Sequence, residues 1–324
     1  MAIRIVSPGL LTTVQDAGRP GKYDIVLPPS GAMDLFSYEL GNYLVGNEPD
    51  AAGLEITYFG PRLQFTEDAI IALTGAEMPP RINGDEVATW EALQVRAGDV
   101  LSFDYLKAGA RSYLAVAGGI DVPASFGSRS TYTYIGIGGY KGRALQEGDE
   151  LHIGESRNGA GHVGTGVTPD QIPTFSDESE LRVIIGLCSY LLTEESKEEF
   201  LGTEWTVTPD ADRTGYRYRG GVLGFVEREQ PSGAGSGPGN VVDINYPMGS
   251  IQVPGGEPIV LARDAITGGG FATIGTVITA DLDRLAQTKT NDKTRFRSVT
   301  LDEALQARKQ RRGQLEKIKS AFNG

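Results

Sequence analysis

An aspartate, an arginine and a glycine recur at one spacing in the two halves of the chain. They are Asp16, Arg19 and Gly21, then Asp210, Arg213 and Gly215, and Ala17 and Ala211 match between them. Such a trio has a structural use. An aspartate at a turn accepts backbone N–H groups, an arginine clamps it, and a glycine takes positive φ. That reading suits the second copy. The first copy sits in Thr12-Thr13-Val14-Gln15-Asp16-Ala17-Gly18-Arg19, which is denser in polar groups than a plain turn requires. An arginine beside a carboxamide suits a small anionic ligand that carries an amide or lactam. The guanidinium would meet the carboxylate and Gln15 the N–H and C=O.

Three further clusters extend this chemistry. Arg129 stands among the hydroxyls of Ser128, Ser130 and Thr131. Gln252 lies in the otherwise apolar run Ile251-Gln252-Val253, where a buried carboxamide must find partners within the core or on a ligand amide. Thr267 precedes three consecutive glycines, Gly268 to Gly270. Such a run is a hinge, or it brings backbone N–H groups close to a carboxylate or a developing oxyanion.

Other chemistries are excluded by what the chain lacks. It has two histidines, His152 and His162, and one cysteine, Cys188. That is too few for a zinc site or an intrachain disulfide, and neither histidine is placed for a Ser-His-Asp mechanism; no metal is expected. A net charge of −12 argues against binding nucleic acid through its phosphates. The glycine-rich stretch Pro231–Asn240 lacks the Gly-Lys-Ser/Thr ending of a phosphate loop, and there is no Met-Lys-Met biotin acceptor. No apolar run approaches the ~20 residues of a membrane span or resembles a signal peptide, so a soluble cytoplasmic protein is expected.

The elements that must carry these residues read as mainly β. Apolar runs rich in branched residues, such as Ala69–Thr74, Tyr113–Ala117, Leu181–Ile185 and Thr276–Ala280, are bounded by glycine, proline or aspartate. Glycine is abundant, at 44 of 324 residues, and turn signals recur at the spacing of barrels or sandwiches. Helices are few. Asp34 caps one, Thr193 caps another ending at Gly202, a short one lies near Ala280–Gln287, and Thr300 with Glu303 forms a capping box for a C-terminal helix. The basic residues of that helix from Arg308 to Lys319 read as a solvated face. The stretch from Gly154 to Pro173 is poor in large apolar residues and reads as a linker. With the repeated motif, this predicts a duplicated barrel: residues 1–155, a linker at 156–178, residues 179–300 and a helix at 301–324.

The segments GLLTTVQDAGRPG, SGAMD, GPRLQF, ALTGAE, YLAVAGGIDVP, GSRSTY and GRALQEGDEL follow in order through the first half. DADRTGY, GSIQVPGGEPIVLARD, TGGG and TVITADLDRLAQ follow in the second. This order resembles the allophanate hydrolase subunit 2, or biotin-dependent carboxyltransferase, family over nearly the whole chain. That family includes the C-type subunit of 5-oxoprolinase and the carboxyltransferase region of urea carboxylase. The resemblance implies two tandem cyclophilin-like β-barrel domains. It also implies a B-type partner (allophanate hydrolase subunit 1, a kinase-inhibitor-like protein), and for a 5-oxoprolinase an A-type partner as well. The implied activity is ATP-dependent opening of 5-oxo-L-proline to L-glutamate, with ATP used by the complex and this chain inactive alone. The standalone length favours this branch. One alternative is carboxyl transfer to urea or a related amide, with biotin carried by another chain. The other is a regulator that sequesters a kinase-inhibitor partner.

By motif, the resemblance points to Gln15, Asp16 and Arg19, with Ser30, Gly31, Met33 and Asp34 nearby, and to Gln252, Asp264, Thr267, Gly268 and Gly269. Residue chemistry then suggests roles. Asp16 transfers a proton or orients an N–H, Arg19 holds an anion, Gln252 reads an amide, and the Thr267–Gly269 amides face developing charge. Both sets are expected to converge on one pocket. The chain departs from the family pattern at Tyr23–Pro29 and at Asp264–Ala272, which leaves room for a divergent substrate.

Overall fold

In the structure, a computed structural model, residues 2–156 and 163–322 are described; His162 lies outside them. The chain divides into two compact units. The first takes in the chain up to Arg19, Ser30–Phe175 and the chain from Gly313; the second takes in Pro20–Pro29 and Ser176–Arg312.

The first unit holds strands β1 (Ala2–Ser7), β2 (Leu11–Gln15), β3 (Gly53–Thr57), β4 (Arg62–Phe65), β5 (Ala69–Glu77), β6 (Pro80–Ile82), β7 (Asp85–Glu86), β8 (Ala92–Val95), β9 (Val100–Phe103), β10 (Ala108–Val116), β11 (Ile120–Asp121) and β12 (Glu150–Ile153), and helix α1 (Leu35–Leu44). They form a seven-stranded sheet, β11-β12-β1-β4-β9-β6-β7, and a five-stranded sheet, β2-β3-β10-β5-β8. One core joins the two sheets. Ile3, Ile5, Leu63, Phe65 and Leu101 come from the larger sheet, and Val14, Leu54, Ile56, Ile71, Leu73, Leu114 and Val116 from the smaller.

Period-two alternation decides what the other face of the five-stranded sheet carries. With Val14, Leu54, Leu114 and Leu73 turned to the core, their neighbours turn away from it. Register aligns Thr13 with Glu55, Glu55 with Tyr113, and Tyr113 with Thr74, a polar row across four strands. At the other end the same face carries Ala72 and Ala115, which pack on Phe36, Leu40 and Leu44 of α1. Gly41 permits this approach, because a Cβ there would sit 3.2 Å from the Thr74 hydroxyl. The Asp34 cap is realised: its carboxylate accepts from Ser37 N at 3.0 Å.

The second unit holds β13 (Glu178–Ile185), β14 (Trp205–Val207), β15 (Gly215–Arg219), β16 (Asn240–Asn245), β17 (Ser250–Gln252), β18 (Ile259–Leu261), β19 (Gly268–Phe271), β20 (Thr273–Val277) and β21 (Lys293–Ser298), with helices α2 (Glu194–Gly202) and α3 (Leu282–Ala286). Seven strands close into a barrel, β13-β20-β17-β18-β15-β14-β21, whose seam is the parallel β13–β21 pair. β16 and β19 form a separate ribbon. The barrel centre is aromatic. Phe200 of α2 stacks on Phe296 at 4.6 Å, and Tyr218 meets Phe296 edge-on at 5.4 Å. Helix α4 (Leu301–Phe322) begins at the expected capping box, with Thr300 N donating to Glu303 Oε2 at 2.7 Å.

The mainly β, barrel-containing architecture agrees with expectation, with the strands of the first unit running as two sheets around a shared core and seven strands of the second closing into a barrel. One expectation needs correction: residues 163–175 are not a linker but part of the first unit. Gly164 N donates to Ala92 O, Ala92 N to Thr165 O and Val167 N to Trp90 O, and Val167 is buried against the α1 cluster. A segment without apolar periodicity still docks when its backbone groups pair with an edge strand.

Candidate functional site

At the end of β2 the chain turns through Asp16, which is buried and whose carboxylate is fully engaged. Oδ1 accepts from Gly18 N at 2.8 Å, from Ser128 Oγ at 2.6 Å and from Ser130 Oγ. Oδ2 accepts the backbone N–H of Arg129. In return, Asp16 N donates to Ser130 Oγ at 3.0 Å. The expected proton-transfer role therefore gives way to a positioning one: Asp16 is the post on which residues 128–130 are hung.

Arg19 is also internal. It is 2% exposed and Nη2 donates to the Ser130 carbonyl. Gly138 completes this wall, since a Cβ there would lie 2.0 Å from Ser130 O and 2.8 Å from Arg19 Nη2. Arg19 thus holds the carbonyl of the same 128–130 segment whose N–H and hydroxyl groups Asp16 holds, and its enclosure favours this clamp over an anion-holding role. Gln15 Nε2 is pinned by Thr13 Oγ1 at 3.0 Å and Thr131 O at 3.2 Å. Its Oε1 has no hydrogen-bond partner among the described residues.

Residues 30–34 lie against this turn. Ser30 and Gly31 both take positive φ, at 50° and 89°. A Cβ on Gly31 would come within 2.8–2.9 Å of the Ala17–Gly18 backbone, so only glycine fits there. Ala32 N donates to Asp16 O at 2.9 Å. Met33 N donates to Glu55 Oε2 at 2.7 Å and Asp34 N to Tyr113 OH at 2.8 Å. Tyr113 OH in turn donates to Glu55 Oε2 at 2.9 Å, and Arg111 pairs with Glu55 Oε1 at 3.7 Å. Burial first, then the Glu55 charge, pushes the Tyr113 hydroxyl well above its usual range, so it remains a donor.

Glu55, Arg111 and Tyr113 were not singled out from sequence. A charge inside an apolar strand, twice over in Gly53–Thr57 and Ala108–Val116, is the signal that could have found them.

Arg129 differs from the rest because its side chain is exposed. Three contacts fix it: its N–H on Asp16, its carbonyl accepting from Gly139 N at 2.9 Å, and its Nε donating to Val122 O at 2.9 Å. Its side chain lines a cavity of about 450 Å³, together with residues of the 46–52 and 118–121 segments and Gly154–Glu155. That volume is in the range of small-molecule sites.

In the second unit the sequence-predicted residues take other parts. Asp264 is locked in a buried ion pair with Arg213, Nε to Oδ2 at 2.7 Å and Nη2 to Oδ1 at 3.2 Å. Asp210 is exposed, and Asp212 caps the turn instead, accepting from Thr214 N at 2.7 Å. The second copy therefore differs from its sequence reading: Arg213 pairs with Asp264 and not with the turn aspartate, and Gly215 does not take positive φ. Gly268 and Gly269 are neither hinge nor loop; they lie in β19, opposite Asn245 and Ile244 of β16. The close approach they allow is to the chain itself: a Cβ on Gly269 would sit 3.1 Å from the Tyr246 ring. Thr267 O accepts from Tyr246 N at 2.9 Å. Gln252 is 5% exposed, and its Nε2 has no hydrogen-bond partner among the described residues.

Residues 25–298 match the family model described as carboxyltransferase domain, subdomain A and B. The chain belongs to this carboxyltransferase family. Among its relatives, the C-type subunit of 5-oxoprolinase from Escherichia coli (strain K12) is 35% identical over 317 residues, covering 98% of this chain and 97% of that one. Urea amidolyase of Lachancea kluyveri is 33% identical over 328 residues, covering 98% of this chain but 18% of the other. The crystal structure of Kluyveromyces lactis urea carboxylase superposes with a TM-score of 0.92 at 33% identity, over 98% of this chain and 29% of that one. The chain thus spans less than a third of the urea-processing relatives it matches. The carboxyltransferase fold, mainly β with a closed barrel and additional sheets, agrees with the architecture above.

Proposed function

We propose that this carboxyltransferase-family chain is one component of a multi-chain enzyme that opens the lactam of 5-oxo-L-proline, giving L-glutamate with ATP consumed on another chain. The observation that carries the reading is Arg129. It is an exposed guanidinium with no carboxylate partner among the described residues, fixed by bonds to Asp16 and Val122 O and lining a cavity. 5-Oxoproline brings a carboxylate for it, and urea, which is neutral, does not. The match to the E. coli 5-oxoprolinase component supports the same choice.

The division of labour follows from charge. A cavity with Glu48, Asp50, Asp121 and Glu155 around one arginine suits a small ligand with a single carboxylate better than a triphosphate, so ATP is assigned to another chain of the complex. The roles left to this chain are to bind the substrate anion and hold the amide in place. A B-type partner of the kinase-inhibitor-like kind completes the site, and this chain is inactive by itself.

The test is reconstitution. The complex with its A-type and B-type partners, given 5-oxoproline and ATP, should release glutamate, and omission of this chain should abolish release. Silence of the full complex, with carboxylation of urea once a biotin-carrying chain is supplied, would move the chain to the other branch. Silence on both substrates, with tight binding of the B-type partner, would mark a regulator.

A further inference from the structure

The lining of the Arg129 cavity separates into groups whose hydrogen bonds are spent and groups whose charge is not. Asn47 Nδ2 donates to Asn42 Oδ1 at 3.0 Å and to Val116 O at 2.8 Å, while its Oδ1 accepts from Gly118 N at 2.8 Å. The Ala51 carbonyl accepts from Tyr38 OH at 2.6 Å and Asn42 Nδ2 at 2.9 Å. Ala52 O takes Ile120 N at 2.7 Å, and Gly119 O takes Gly154 N at 2.9 Å. These internal bonds make the neutral wall stiff and leave it little to offer a ligand.

The charged groups are different. Arg129 has its Nη atoms uncommitted, and no ion pair among the described residues involves Glu48, Asp50, Asp121 or Glu155, all of which line the same cavity. One exposed arginine and four exposed carboxylates without ion pairs among the described residues line the same cavity of about 450 Å³, which makes it complementary to a molecule carrying both signs.

We propose that this cavity binds a small α-amino acid as its zwitterion, with the carboxylate on Arg129 and the ammonium against the acidic wall. The inference rests on the lactam-opening reading and deepens it. When the lactam opens, the oxygen of water bonds to the carbonyl carbon, the C–N bond breaks, and both protons of the water end on the nitrogen. The products are a second carboxylate and an ammonium, so net charge is unchanged but a cation that the substrate lacks appears, and the acidic wall is complementary to it. The cavity favours the ring-opened amino acid over the lactam and retains product after the chemistry.

Binding of L-glutamate, 5-oxo-L-proline and glutarate to the full chain, by calorimetry or ligand-observed NMR, tests this. Glutarate has glutamate's carboxylates without the ammonium, and the lactam has one carboxylate and a neutral N–H. Glutamate should bind at least tenfold more tightly than either. Arg129→Ala should weaken glutamate and lactam alike by tenfold or more. Asp50→Asn combined with Asp121→Asn should weaken glutamate alone. Equal affinity for glutamate and glutarate, or indifference to the double variant, overturns the zwitterion while leaving lactam binding through Arg129 intact. If no ligand binds and Arg129→Ala leaves turnover of the complex unchanged, both this inference and the lactam-opening reading fall.

Discussion

The Asp16 carboxylate holds Arg129 by its backbone N–H and not by its guanidinium. An aspartate and an arginine this close would ordinarily neutralise each other. Here the carboxylate is filled by one backbone N–H from Gly18, one from Arg129 and the hydroxyls of Ser128 and Ser130. The arginine charge is left for the cavity.

Removing that charge should therefore touch binding and little else. Arg129→Ala is expected to raise the KM for 5-oxoproline in the reconstituted complex by tenfold or more. Stability should stay within about 0.5 kcal/mol, as for exposed side chains generally. Parallel turnover and thermal melts check it; an unchanged KM removes Arg129 from the site.

Asp16→Asn puts an N–H₂ where donors already converge. Leaving buried donors unsatisfied costs about 1–3 kcal/mol. We expect a lower melting temperature together with weaker substrate binding, because the 128–130 segment loses its post. Ser128→Ala, which removes one of those donors, should cost less on both measures.

Arg19→Ala separates the clamp from the anion site. The guanidinium is enclosed and bonded to Ser130 O, so its loss is a stability defect of about 1–3 kcal/mol. In denaturant unfolding it should cost more than Arg129→Ala, while its KM effect should be the smaller of the two.

Asp264→Asn addresses the second unit. The buried bidentate pair with Arg213 makes removal of one partner costly, about 3–5 kcal/mol for a full loss. The variant should unfold at lower denaturant without a specific rise in KM. A KM effect at unchanged stability would restore the substrate-binding role expected from the motif.

Asp149 supplies a pH dependence. Hydrogen bonds from Arg143, at 2.7 and 2.8 Å, hold its carboxyl below the ordinary range. A carboxyl depressed in the folded state stabilises the fold above the unfolded-state pKa, and that contribution is lost as pH falls through the folded value. Unfolding free energy should therefore fall on acidification between about pH 5 and pH 2, and less steeply in Asp149→Asn. Urea titrations across that range decide it; identical slopes would remove Asp149 from the acid response.

What could be read from sequence follows the range of the forces involved. Helix starts at Asp34, Thr193 and Thr300 were legible because a cap and the backbone N–H that donates to it lie within three residues. Gln15, Asp16 and Arg129 were legible as polar residues at a strand end and in turns, although their roles were not. Whether Asp16 is a base or a post depends on Ser128, Arg129 and Ser130, more than a hundred residues away. Glu55 and Tyr113 meet only through strand register, which the alternating pattern permits but does not fix. The triple glycine misled for a similar reason, because its close contact is with Tyr246 of its own chain. Closure of the second unit's barrel is settled by the pairing of its terminal strands β13 and β21.

Anchoring position 129 through its peptide N–H has an evolutionary corollary. Asp16 asks nothing of the side chain, so a codon change at 129 to any residue but proline gives up the Nε bond to Val122 O yet keeps the peptide bond to Asp16 and the Gly139 contact that set the loop's course. Specificity and architecture are thereby uncoupled at one residue, and a lineage can drift toward neutral or cationic amides without first rebuilding the scaffold that presents them.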